Sequence, residues 1–112
     1  TTGVFVMAWF FLGIAIVFEI AFALGTNATN GFTKLWPSVF TLLAAAGGIF
    51  TLSLALRTLD VGVGYTIWTG VGAIGTVILG ALVYHEKITL PKVASFAAII
   101  AGAVLLKVAA GA

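Results

Sequence analysis

Apolar residues fill four long stretches of the chain, and the polar and turn-forming residues collect in the short runs between them. About 20 apolar residues is the length a helix needs to cross a bilayer core. The first stretch runs from about Val4 to Leu24 and the second from about Trp36 to Leu56. The third covers about Val61 to Tyr84, and the fourth about Leu90 to Val108. Between the first two lies Gly25-Thr26-Asn27-Ala28-Thr29-Asn30-Gly31, a polar, glycine-flanked run that predicts a loop. Arg57 and Asp60 bracket the second connection, and His85-Glu86-Lys87 opens the third. Pro37 and Pro91 fall in the first turns of their helices, where a missing N–H is harmless. This pattern predicts an all-α membrane protein, one four-helix transmembrane domain over residues 1–112. Connections this short force antiparallel neighbours, hence an up-down-up-down bundle with both termini on one side.

Composition sharpens the assignment. Of 112 residues, 62% are hydrophobic and only 7% charged, too few charges to dissolve so small a domain in water. Lipid must then be the outer solvent, and almost no chain is left for an extramembrane domain. The first stretch is longer than a signal-peptide core and lacks a basic leader, so it predicts a retained span, with Met7 a candidate ancestral start. Absence of cysteine removes disulfide and thiol chemistry.

The formal net charge of +2 comes from scattered residues, not a basic face, and so predicts no nucleic-acid partner. Lys34, Lys87 and Lys92 fall on one side of the expected bundle, Arg57 and Lys107 on the other. Lys and Arg set membrane orientation by cytoplasmic retention, and here they barely distinguish the two sides. Insertion in both orientations follows, unless a partner or the insertion machinery decides.

Against this background Glu19 stands out as an acid near the middle of a span, about midway between Trp9 and Thr29. A charged side chain at that depth costs about 2.5–3.5 kcal/mol on insertion scales, and such residues face a cavity or a partner. Removal from water disfavours the ionised form of a carboxylate. One group in that setting binds either a proton or a cation, which is the minimal chemistry of an exchanger. The alternative is a protonated structural acid hydrogen-bonded to a neighbouring helix. Helical spacing puts Ala8, Leu12, Ala15, Phe22, Ala23 and Thr26 on or near the same stripe, small residues that leave space and an aromatic wall.

On the third span Tyr65, Trp68, Gly72 and Gly75 share a face. Tyr65 can hydrogen-bond a carboxylate and Trp68 can cover a cation. Gly70, Gly72 and Gly75 thin the helix for close approach. An equally good account is interfacial aromatics beside a glycine packing seam. In the fourth span Ala94, Ala98 and Gly102 form a small-residue stripe suited to helix packing. His85 has only Glu86 near it, so no metal site is expected, and no cofactor or enzymatic motif is recognisable.

The chain resembles the small multidrug resistance family over nearly its whole length. The likeness rests on the four short spans, Glu19 in the first, Asn30-Gly31-Phe32-Thr33 before the second, and Gly64-Tyr65-Thr66-Ile67-Trp68-Thr69-Gly70-Val71-Gly72-Ala73-Ile74-Gly75 in the third. The Trp-Thr-Gly-x-Gly-Ala-x-Gly form and Lys107 resemble the guanidinium-exporter subtype. The resemblance implies an antiparallel, dual-topology dimer, homodimeric or paired with a homologous subunit. It also implies proton-coupled export of small organic cations by alternating access across the inner (plasma) membrane. On that likeness Glu19 is the shared proton and substrate site, Tyr65 its hydrogen-bond partner and a gate, and Trp68 a cavity wall bonded to the glutamate. Ala15, Phe22, Gly48 and Gly72 would line the cavity, and Gly70, Gly75, Ala98 and Gly102 would serve packing.

Three positions depart from the subtype. It has glycine three residues before the glutamate, tryptophan three after it, and a serine in the second span; here stand Ile16, Phe22 and Gly48. Fewer polar groups then orient Glu19 and a planar cation. Either a heterodimeric partner supplies them, the preferred account, or the cavity takes larger, more apolar cations. The leading expectation is an antiporter for guanidinium-type ions such as guanylurea. Its rivals are a broad quaternary-ammonium or aromatic-cation exporter and a non-transporting scaffold or lipid-handling subunit.

Overall fold

A computed structural model describes residues 2–110. It contains four helices: α1 (Thr2–Ala28), α2 (Leu35–Ala55), α3 (Val61–Val83) and α4 (Leu90–Ala110). All four are long and apolar enough to cross a membrane. A helix satisfies its own backbone N–H and C=O groups, which is what a segment in hydrocarbon requires.

The first helix is longer than the polarity of its end predicts, because residues 25–28 are helical and not loop. Two contacts explain the extension. Gly25 is buried directly against Thr41 of α2, leaving no room for the chain to turn away. Thr26 Oγ1 donates to the Phe22 carbonyl at 2.7 Å, so its polarity is absorbed within the helix. The turn that follows is built on buried Thr29, whose Oγ1 donates to the Thr26 carbonyl at 2.7 Å and accepts from the Phe32 N–H at 3.0 Å. Asn30, Gly31 and Phe32 then take positive φ values of 50°, 73° and 62°, which reverse the chain in a few residues.

α1 is the central element. It packs along α2 and α3, whereas α4 packs on α3. Ala8, Leu12 and Ala15 of α1 form the core with Leu52, Ala55 and Leu59, and Trp9, Phe11, Ile16 and Trp68 close around it. The small residues of this core let backbones approach, which is how helices associate where lipid is as apolar as leucine. Gly75 serves that purpose on α3, where a Cβ would collide with the Ile20 side chain of α1.

The fourth helix departs from expectation. Its membrane-spanning window has no buried residue. Ala98 and Gly102 were expected at a helix contact, but both are exposed and a Cβ on Gly102 would meet nothing. The α3–α4 contact instead seats the Ile99 side chain against Gly70. Ile99 is one residue round the helix from Ala98, which turns the small-residue stripe away from α3.

The far end of α3 is tied to α1 by the Tyr84 hydroxyl, which donates to the Leu24 carbonyl at 3.0 Å. A net hydrogen bond contributes about 1 kcal/mol. Tyr84→Phe is therefore expected to lower stability by about that amount. Thermal unfolding in detergent checks this, with a downward shift of a few degrees against the parent chain.

The Glu19 cavity as candidate functional site

Glu19 lies on α1 where both neighbouring helices come close. A cavity of about 110 Å³ opens beside it, partly enclosed, lined by Phe18, Glu19, Phe22, Ala44, Ala45, Gly48, Ile49 and Trp68. The glutamate is the one charged residue of that lining. Everything else is aromatic, aliphatic or glycine, so the walls supply dispersion and π-faces in place of hydrogen bonds.

The local sequence explains the geometry. On the α2 side, the run Ala44-Ala45-Ala46-Gly47-Gly48 leaves more than a full turn of the helix without bulk. The Phe18 ring lies against Gly47, where a Cβ would come within 2.9 Å of it, and the Phe18 Cβ faces Gly48 at 3.2 Å from the same construction. On the α3 side, a Cβ on buried Gly72 would stand 2.9 Å from the Glu19 Cγ. The stem of the acid is thus pressed on bare backbone, and the glycine is what leaves room for it.

Within this chain Trp68 takes a partner other than the expected glutamate. It does line the cavity, but its indole N–H donates to the Ala15 carbonyl at 3.0 Å, not to the Glu19 carboxylate. Ala15 is one turn before Glu19, so the bond clasps α3 to α1 beside the acid and leaves the carboxylate uncommitted. Tyr65 is the next aromatic side chain on the same helix face. It packs on Trp68, with ring centroids 5.7 Å apart and planes at 55°, but is 54% exposed and does not border the cavity. Of the two rings it is Trp68 that borders the acid's chamber.

The remaining candidates divide. Phe22 and Gly48 line the cavity as expected from their positions. Ala15 is wholly buried, and it and Gly72 lie outside the lining: Ala15 under the indole, Gly72 behind the acid's stem. Gly70 and Gly75 meet neighbouring helices, and Ala98 and Gly102 are exposed. Lys107 is held elsewhere, its Nζ 5.4 Å from the centre of the Trp9 ring. Trp9 is ten residues from Glu19, roughly 15 Å along α1, so this cation leaves the acid unneutralised.

Sequence reasoning missed Phe18, Ala44, Ala45 and Ile49. The signal was present: Phe18 and Phe22 are one turn apart astride the acid, and the alanine–glycine run marks where another helix must fit against bulk. Among the described residues no group of three or more His, Cys, Asp or Glu is arranged to hold a metal ion.

The chain is similar to known proteins along most of its length. The family model described as Small Multidrug Resistance protein matches residues 7–100. A protein named Guanidinium exporter from Yersinia pseudotuberculosis is 42% identical over 103 residues, covering 92% of this chain and 99% of its own. Proteins of the same name from Citrobacter freundii and Proteus vulgaris are 43% identical over 101 residues and 41% over 103. The first alignment covers 90% of this chain and 96% of the relative, the second 92% and 99%.

Gly72→Leu is expected to displace the Glu19 stem and fill much of the cavity. In a chain with Trp9 and Trp36 replaced by Phe, cations should quench Trp68 fluorescence, and that response should disappear in the Gly72→Leu variant. Far-UV circular dichroism should show helix content unchanged.

Proposed function

The chain belongs to the small multidrug resistance family, and on that premise we propose that it exports small organic cations in exchange for protons, guanidinium-type ions first among them. The observation that carries this reading is Glu19 as the one charged group in a small, otherwise apolar chamber. A carboxylate there holds a proton or pairs with a cation, and not both at once, so loading one releases the other. The names of the relatives support the substrate class, and the apolar walls favour ions that shed water readily.

Transport further requires that the chamber face one side of the membrane at a time. The proposed assembly is an antiparallel, dual-topology dimer in the inner membrane, with two Glu19 carboxylates in a shared cavity titrating as a coupled pair. The exposed Ala98 and Gly102 stripe on α4 supports it, because small residues let a second copy approach closely. The near-balance of Lys and Arg between the two sides agrees with dual insertion.

A second reading has its own observation. Phe18, Phe22, Trp68 and Ile49 surround the acid, and Gly48 supplies no hydroxyl. Such walls suit aromatic or quaternary-ammonium cations, which need no hydrogen bonds and gain from π-faces. Alternatively, a homologous partner subunit contributes the missing polar groups. The purified chain in liposomes separates these accounts. Robust guanidinium-driven proton current without a partner removes the need for a heterodimer. Response to tetraalkylammonium but not guanidinium or guanylurea favours the broader exporter.

Glu19→Gln is expected to abolish proton-coupled current for every cation, since an amide neither ionises nor exchanges a proton. Persistent coupled current in that variant sinks the mechanism. In the parent chain, apparent cation affinity should weaken as pH falls, by up to about tenfold per unit for one-for-one competition. Isothermal titration in detergent at several pH values reads this directly.

A further inference from the structure

A second cavity lies at the other end of α1, away from the acid. It has a volume of about 580 Å³, against about 110 Å³ at Glu19. Gly3, Met7 and Phe11 form its floor, one residue per helical turn, and Leu54, Arg57 and Thr58 close it from the end of α2. The floor runs from residue 3 to residue 11, roughly 12 Å of helix. It is open to the side, since Met7 is half exposed and a Cβ on Gly3 would meet no atom within 4 Å.

The distribution of polarity along this groove decides its occupant. Its length is apolar, and the polar groups stand together at one end: the Arg57 guanidinium and the Thr58 hydroxyl. No acidic residue lines it. Arg57 follows immediately on the C-cap of α2, at the depth where a spanning helix meets the headgroup layer. Among the described residues no acid comes within ion-pair distance of it. The other cation at this end, Lys107, is engaged over the Trp9 ring at 5.4 Å. Among the described residues, then, the Arg57 guanidinium stands without an acidic partner at the mouth of an apolar trough.

We propose that this groove is a binding site for an anionic glycerophospholipid, its acyl chain along Gly3, Met7 and Phe11 and its phosphate on Arg57 and Thr58. A guanidinium offers two parallel N–H donors to one phosphate, and the hydroxyl adds a third. An acyl chain fills the trough without stranding a polar group, whereas water at that depth has no partners on the floor. A zwitterionic lipid fits the same trough but brings a cationic headgroup to the guanidinium. The site is independent of the Glu19 reading and stands or falls apart from it.

The test uses the full chain reconstituted in mixed phosphatidylcholine and phosphatidylglycerol vesicles, extracted in mild detergent, with retained lipid measured by native mass spectrometry. Phosphatidylglycerol should be retained over phosphatidylcholine by about fivefold, the worth of one basic residue at an anionic surface. Arg57→Gln should remove the preference, Arg57→Lys should keep part of it, and Gly3→Leu should lower retention of both lipids with the charge intact. Equal retention of the two lipids by the parent chain, or an unchanged preference in Arg57→Gln, overturns the proposal. So does complete displacement by excess inorganic phosphate, which would mark a headgroup site without an acyl chain. Cross-linking of a Val4→Cys variant to a second copy in these vesicles also overturns it, since protein then fills the groove.

Discussion

The approach of two helices to bare backbone on either side of one turn of α1 governs the rest of the structure. On one side Gly47 and Gly48 admit the Phe18 side chain, and on the other Gly72 admits the stem of Glu19. Neither contact tolerates a Cβ without movement. In water such a seam would be drawn together by hydrophobic burial. In lipid that drive is absent, and close van der Waals packing of small residues takes its place. The acid and its chamber exist because three helices can come this near.

Much of this was legible from the chain. Four apolar stretches and their punctuation mark the helices, because a membrane span has only one way to satisfy its backbone. Glu19 was legible for the same reason: a charge in hydrocarbon is costly enough to be conspicuous. The end of α1 was not, because the polar string from Gly25 reads as a loop until Thr26 is seen bonding back to Phe22 and Gly25 is seen under Thr41. Nor was the partner of Trp68, since spacing places the indole on a face without saying which acceptor on the neighbouring helix it meets. Ala98 and Gly102 show the converse limit. Small residues at helical spacing mark a surface fit for packing and do not name the helix that uses it.

The two cavities divide the chemistry of the chain between its middle and its end. At Glu19 a single negative group sits among apolar walls, and at Arg57 a single positive group ends an apolar trough. Each charge keeps its force because, among the described residues, nothing of opposite sign answers it. With so few charged residues in all, an unanswered one has few alternative partners, and whatever binds there must bring the counter-charge itself.

The indole bond to Ala15 has a mechanical consequence. Because Trp68 donates to the carbonyl one turn before Glu19, that stretch of α1 and the adjoining part of α3 are pinned together beside the acid. Among the described residues no side-chain hydrogen bond crosses between α1 and α2, where a phenyl ring rests on glycine. That seam is held by shape alone, so a substitution there acts through lost fit and not through a broken bond.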